Sequence, residues 1–387
     1  MPSLDLAMPL ALLIVVTVAM LLNKRVQGKL MATVEEKEFK VRDILLLVVF
    51  MAIIISVIAY TSFISPGQLF SNILLVIFMS SYTMLLFTFS YVFSNLTKMR
   101  VQLLSLGFGV GSLIAGFASL LGPLSDGLTV YLVVAFFGLA VFCFGVIAFE
   151  NKKTVSKARW YVAAQPPAMF VLLFAFFNVI YQGGAQIWYP LLMDVFGLTF
   201  AILIILYLSS LFSWKTVGLF AVLLTTMDII LVIGTPAMLT AANSFTGLGL
   251  PVLVFLPKVP LTAIPHGYSG INFFGYLPSG LGLGDFFFAG VLAVQTFNKF
   301  GKKTALVAVV AMAVAFGIWE AFLPDIITWL IPILGRNIGG FPGTLMIITG
   351  WAPIVAWKLL STRNKVPTVP VVMEQPEAPR EPSLPIQ

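Results

Sequence analysis

Residues 215–239 read KTVGLFAVLLTTMDIILVIGTPAML. A lysine opens the stretch, and the apolar run behind it carries one charge, Asp228, in its middle. A membrane span needs about 20 mostly apolar residues. Hydrocarbon offers no partner for backbone N–H and C=O groups, so a run of this length crosses as a helix that bonds them internally. The rest of the chain repeats the pattern. Of 387 residues, 60% are hydrophobic and 10% charged, and the mean hydropathy is +1.04. Soluble domains carry about 25% charged residues. This composition excludes a soluble enzyme, a secreted disulfide scaffold and a disordered chain. The one cysteine, Cys143, has no intrachain partner. The one histidine, His266, excludes His-rich metal sites and His relays. The net charge of +7 is not read as nucleic-acid affinity, because in a membrane chain the positions of the charges carry the information.

Working outward, eleven spans are expected, near 5–23, 44–63, 69–93, 101–122, 128–149, 164–182, 190–213, 216–239, 281–298, 304–323 and 339–360. Pro166-Pro167 and the Gln182-Gly183-Gly184 break blur the boundaries of the sixth and seventh. Basic residues test the map. Six fall in 24–42, two in 96–100, four in 150–160, one at Lys215, three in 299–303 and four at and beyond the end of the last span. Those loops alternate, and only Lys258 and Arg336 lie on the other side. The positive-inside rule then places the N-terminus outside and the C-terminus in the cytoplasm. The first apolar run, Leu6–Leu22, has Lys24-Arg25 after it and no basic residue before it. A secretory signal has the reverse order, so this run is read as a retained span. The expected fold class is all-α, a polytopic transmembrane helical bundle of about nine to eleven spans in the cell membrane. Its N-terminal bundle would occupy 1–214, a second region 215–365, and a Pro- and Glu-rich disordered tail 366–387. The outer loop 240–280 is apolar and rich in Gly and Pro, so part of it, such as Leu248–Leu256, is expected to dip into the membrane or pack on the spans.

Four of the fifteen acids lie inside spans: Asp194, Asp228, Asp285 and Glu320. Asp194 and Glu320 sit about one helical turn from the outer boundary and read as interfacial charges that reach water. Asp228 and Asp285 are deeper. A carboxylate at the bilayer centre costs about 2.5–3.5 kcal/mol on insertion scales and is a functional candidate by default. Asp228 follows Lys215 by thirteen residues, and Asp285 precedes Lys299 by fourteen. At about 1.5 Å per residue both lie roughly 20 Å above the inner surface. Their helices are consecutive and antiparallel, so the two carboxyls can meet at one level. Two such groups sharing one proton suit general acid/base activation of water on an amide. They equally suit proton or cation binding in a transporter. Glycines precede the second acid, in Gly280-Leu281-Gly282-Leu283-Gly284-Asp285, and let another backbone approach it.

The decapeptide LGLGDFFFAG (281–290) resembles the second catalytic helix of the presenilin and signal-peptide-peptidase family of intramembrane aspartyl proteases. Its GxGD motif is Gly282-Leu283-Gly284-Asp285 here. The family's first catalytic helix carries Tyr-Asp, and the aligned pair is Met227-Asp228, without the tyrosine. The stretches 234–242 and 253–257 are similar to the signal-peptide-peptidase branch, whose orientation agrees with the charge pattern. The nearest match to the family's Pro-Ala-Leu motif is Pro342-Gly343-Thr344-Leu345, with the proline in place and Gly-Thr after it. The resemblance covers about 215–360. Family members usually have five spans before the first aspartate helix; seven are counted here. The resemblance implies a presenilin-like catalytic core in 215–365 and an intramembrane aspartic endopeptidase. Asp228 and Asp285 would be the catalytic pair, and Gly282, Leu283, Gly284, Pro342, Gly343, Thr344 and Leu345 would bind substrate. Substrates would be transmembrane helices or remnant signal peptides, taken from the lipid bilayer without metal or organic cofactor.

Other chemistries lack their residues. A HExxH metalloprotease motif is absent. The string Gly267-Tyr268-Ser269-Gly270 has the look of a serine nucleophile, but its only histidine, His266, is its near neighbour in the same loop. Gly107 and Gly111 form a GxxxG that suits close helix packing, with no strand before it to make a nucleotide loop. The rivals to the protease are a proton- or cation-coupled secondary transporter using the same two Asp, and an inactive relative.

Overall fold

The structure of the chain is a computed structural model. It describes residues 5–31, 39–64, 68–93, 98–120, 127–150, 155–180, 187–235, 237–264, 275–335 and 340–363. His266, Ser269, Arg336, the loop at 151–154 and the tail lie outside the described residues. The protein is a nearly all-α, multi-pass helical bundle. Its helices are α1 (Ala7–Met31), α2 (Val41–Ile64), α3 (Gln68–Phe93), α4 (Lys98–Ser119), α5 (Gly127–Glu150), α6 (Val155–Phe174), α7 (Met193–Leu208), α8 (Trp214–Ile229), α9 (Ala237–Gly247), α10 (Leu283–Phe300), α11 (Lys302–Leu334) and α12 (Gly343–Arg363). Each expected span falls on one of these helices, and α9 is a further short one. Among the described residues, seven helical stretches are long and apolar enough to cross a membrane.

The bundle is built around α10, which packs against α1, α7, α8, α11 and α12. Every residue from Phe286 to Thr296 is buried. A helix surrounded by protein can carry polar groups if neighbours satisfy them, and α10 does so. Gln295 Nε2 donates to the carbonyls of Ser209 (2.9 Å) and Phe212 (2.7 Å), which closes the open C-terminal end of α7. Trp351 Nε1 of α12 donates to Thr296 Oγ1 at 2.9 Å. Gly290 lies so close to Ile205 of α7 that a Cβ would overlap that side chain. One hydrophobic core joins α1, at Met8 and Val16, with α7, α8, α10, α11 and α12, so it runs across residue 214.

Three departures from the expected map have physical causes. First, Leu281-Gly282, expected to open the ninth span, is extended as part of Pro278–Gly282. That segment forms strand β2, antiparallel to β1 (Leu253–Pro257), with Leu253 opposite Gly282. Glycine is a poor helix former, and β1 offers backbone partners there. Leu250 and Val254 are buried, so the apolar loop packs on the spans as expected of 248–256. Second, α11 runs to Leu334 through Pro324 and Pro332, beyond the expected end at residue 323. At about 1.5 Å per residue it is roughly 50 Å long. Thr328 Oγ1 donates to the Pro324 carbonyl at 2.8 Å. Third, the tight α4–α5 approach is at Gly109, whose position would put a Cβ 3.0 Å from Phe144. Gly107 and Gly111, expected to make that approach, face open space.

Candidate active site

The site grows from three helix ends. Helix α8 is started by a capping box: the Ser213 N–H donates to Thr216 Oγ1 at 2.8 Å, and Thr216 N–H donates to Ser213 Oγ at 3.4 Å. This cap fixes where α8 begins, and hence the height of Asp228 about four turns later. Just beyond Asp228 the winding loosens into a π-helical turn, Ile230–Gly234, a form that often marks functional positions. Thr235 ends it, donating to the Leu231 carbonyl at 3.1 Å and accepting from Ala237 N–H at 3.3 Å.

Helix α10 is started by the sheet. Gly282 is the last residue of β2, and Leu283 N–H donates to the Val252 carbonyl at 2.9 Å. Asp285 is the third helical residue, and its carboxylate accepts a backbone hydrogen bond from Gly282. That contact is half of a capping box, which fixes the side chain against its own helix start.

The start of α12 completes the site. Thr344 Oγ1 donates to Asp228 Oδ2 at 2.6 Å, and Thr344 N–H approaches the same oxygen at 3.3 Å. Gly343, one residue earlier, faces the other acid: a Cβ there would sit 2.5 Å from Asp285 Oδ1 and 2.6 Å from its Cγ. Adjacent residues of α12 thus touch the two acids, and the carboxyls lie within each other's electrostatic reach. Asp228 is buried, 8% exposed. Asp285 is partly exposed, and Gly284 beside it is fully open. The pair therefore has a closed side, made by α12, and an open side at Gly284.

Of the residues expected to bind substrate, Gly282, Gly284 and Leu345 are accessible or partly so. Leu283 points into the hydrophobic core and is 5% exposed. Pro342, Gly343 and Thr344 are buried, and the last two serve the acids directly. Thr344 lies 116 residues from Asp228 in the chain, so no local pattern could have revealed this bond.

Asp194 departs from the expected place in water, whereas Glu320 is half-buried and also bonds to protein. Asp194 is not an interfacial charge in water; it is buried, and its Oδ1 accepts the Phe255 N–H of β1 at 2.7 Å. Glu320 accepts the Ser279 hydroxyl of β2 at 2.5 Å. Both acids grip the sheet, one on each strand. An acid one turn inside a span, opposite a loop too apolar to be a free loop, was the available signal. No family model matches the chain, and neither a curated protein nor a solved structure does.

Proposed function

We propose that the protein is an intramembrane aspartic endopeptidase, related to the presenilin and signal-peptide-peptidase family, that hydrolyses peptide bonds of transmembrane helices or remnant signal peptides. Its N-terminus would lie outside the cell membrane and its C-terminus in the cytoplasm. One observation carries the reading: two acids from separate helices meet at the start of α12, where Gly343 and Thr344 contact one each.

The chemistry follows from that arrangement. One carboxylate takes a proton from water, and the water oxygen bonds to the amide carbon. The other, protonated, carboxyl donates to the carbonyl oxygen. The tetrahedral species then collapses: the C–N bond breaks, the amine leaves with the proton taken from water, and a hydroxyl of the gem-diol returns its proton to the carboxylate that had donated one. The two acids titrate as a unit, so neither role is fixed to one residue. Thr344 holds one oxygen of Asp228 and leaves the other for this work.

A helical amide is bonded and shielded, so the substrate must unwind before it reacts. Here β2 leads directly to Asp285, and its second edge pairs with no strand among the described residues. An unwound segment could add to such an edge through backbone hydrogen bonds. Helix-breaking residues in a substrate should favour cutting. The test is reconstitution in liposomes with a labelled transmembrane peptide, comparing wild type with Asp228→Asn and Asp285→Asn. Cleavage is expected in wild type and in neither variant. Cleavage that persists in either variant, or proton-coupled flux with no cleavage of any peptide, would overturn the reading.

A further inference from the structure

A second pair of acids, Asp5 and Glu320, lies beside the sheet. Glu320 of α11 accepts the Ser279 hydroxyl through Oε1 at 2.5 Å. Asp5, in the lead into α1, is 2% exposed. Its Oδ1 accepts Val259 N–H at 2.9 Å and Ala7 N–H at 3.0 Å. The remaining oxygens, Asp5 Oδ2 and Glu320 Oε2, are buried and meet no other donor among the described residues. The two carboxyl groups lie close enough for a hydrogen bond between them once one carries a proton.

We infer that Asp5 and Glu320 share one proton and together act as positioning residues that hold β2, and through it Asp285, in place. Ionised carboxylates only accept, so a bond between two of them requires a proton on one. The charge balance agrees. Lys258 is the cation whose field reaches Glu320. One lysine against two carboxyls that share a proton is neutral, whereas two carboxylates would bury an uncompensated charge. Asp5 reaches the pair from the lead into α1, Lys258 from the segment after β1, and Ser279 from β2. They are the charged and polar groups facing Glu320 from those elements.

The pair is also a mechanical junction. Leu6 N–H donates to the Val259 carbonyl at 3.0 Å, and Lys258 N–H to the Leu277 carbonyl at 3.0 Å. The lead into α1, the segment after β1, β2 and α11 are therefore tied at one point. Ser279 is three residues, about 10 Å of strand, from the Gly282 N–H that bonds Asp285. As pH rises the shared proton is lost, the carboxylates repel, and β2 loosens.

The functional meaning rests on the protease reading; the proton sharing does not. The test is hydrogen exchange of the Ser279–Gly282 amides in the full chain in liposomes, corrected for intrinsic rates across a pH series. The Asp228→Asn/Asp285→Asn background removes the other pair's titration. Glu320→Gln keeps the junction without a proton to lose, because its amide donates to Asp5 and its carbonyl accepts from Ser279. In the parent, protection of these amides should fall at alkaline pH. In Glu320→Gln it should persist, with exchange about tenfold slower than in the parent at the alkaline end. Asp5→Asn, with the donor on the other partner, should behave alike and serves if Glu320→Gln does not fold. Identical pH dependence in the parent and the folded variant overturns the proposal. In the active chain, Glu320→Gln should extend kcat to higher pH with KM unchanged. An inactive wild type would count against the protease reading and leave the exchange result standing.

Discussion

The molecule holds two carboxyl pairs that both bond to one short strand, β2, at Ser279 and at Gly282, and they are built differently. Asp5 and Glu320 lie close enough to share a proton, and Ser279, Val259 and Ala7 occupy one oxygen of each. Asp228 and Asp285 are each anchored by a separate donor, Thr344 for one and Gly282 for the other, with Gly284 open beside them. The first pair has its partners inside the protein. The second has an exposed glycine, Gly284, at its side. Proximity is common to both pairs; what separates them is how far the protein uses up their hydrogen-bonding capacity.

The largest test of this contrast is charge removal at the open pair. Asp228→Asn or Asp285→Asn should each lower cleavage of a transmembrane peptide by on the order of a thousandfold. Next is Gly343→Ala. The added methyl displaces the Asp285 carboxyl, and a shift of about 1 Å costs roughly a hundredfold in kcat; thermal unfolding in detergent should change little. Thr344→Val keeps the shape and removes the hydroxyl from Asp228. About tenfold in kcat should be lost with KM unchanged, and Thr344→Ser should restore most of it. The smallest effect belongs to Asp194→Asn, which keeps an acceptor for Phe255 N–H but removes its charge. It should cost about 1 kcal/mol of stability, read as faster exchange of the Phe255 amide. Activity of Gly343→Ala equal to wild type would mean that the Asp285 carboxyl does not need its present place.

Much of the frame is legible in the chain. Thirteen residues from Lys215 to Asp228 and fourteen from Asp285 to Lys299 place two acids at one depth, because helical rise is constant. In the structure α8 and α10 are neighbours. The apolar character of 248–256 foretold a packed loop. Other features were not legible. Gly282 and Gly284 look alike in sequence, yet a Cβ at 282 would crowd the Asp285 carboxyl at 3.3 Å and one at 284 would meet nothing within 4 Å. Gly343 is the more demanding position, since its Cα lies against the Asp285 carboxyl. Asp194 and Glu320 look like interfacial charges because helix periodicity says where a side chain sits along the span and nothing of the strand opposite it.

The sequence by itself determined the all-α, multi-pass character and the position of each acid along its helix, since these follow from hydrocarbon thickness, backbone hydrogen bonding and a fixed rise per residue. Only the tertiary structure decided which acids meet, which donors hold them, and that a two-stranded sheet runs between the two pairs. Those contacts join residues as far apart as Asp5 and Glu320, or Asp228 and Thr344. They depend on which helix faces lie together, a property of packing that no local pattern of residues encodes.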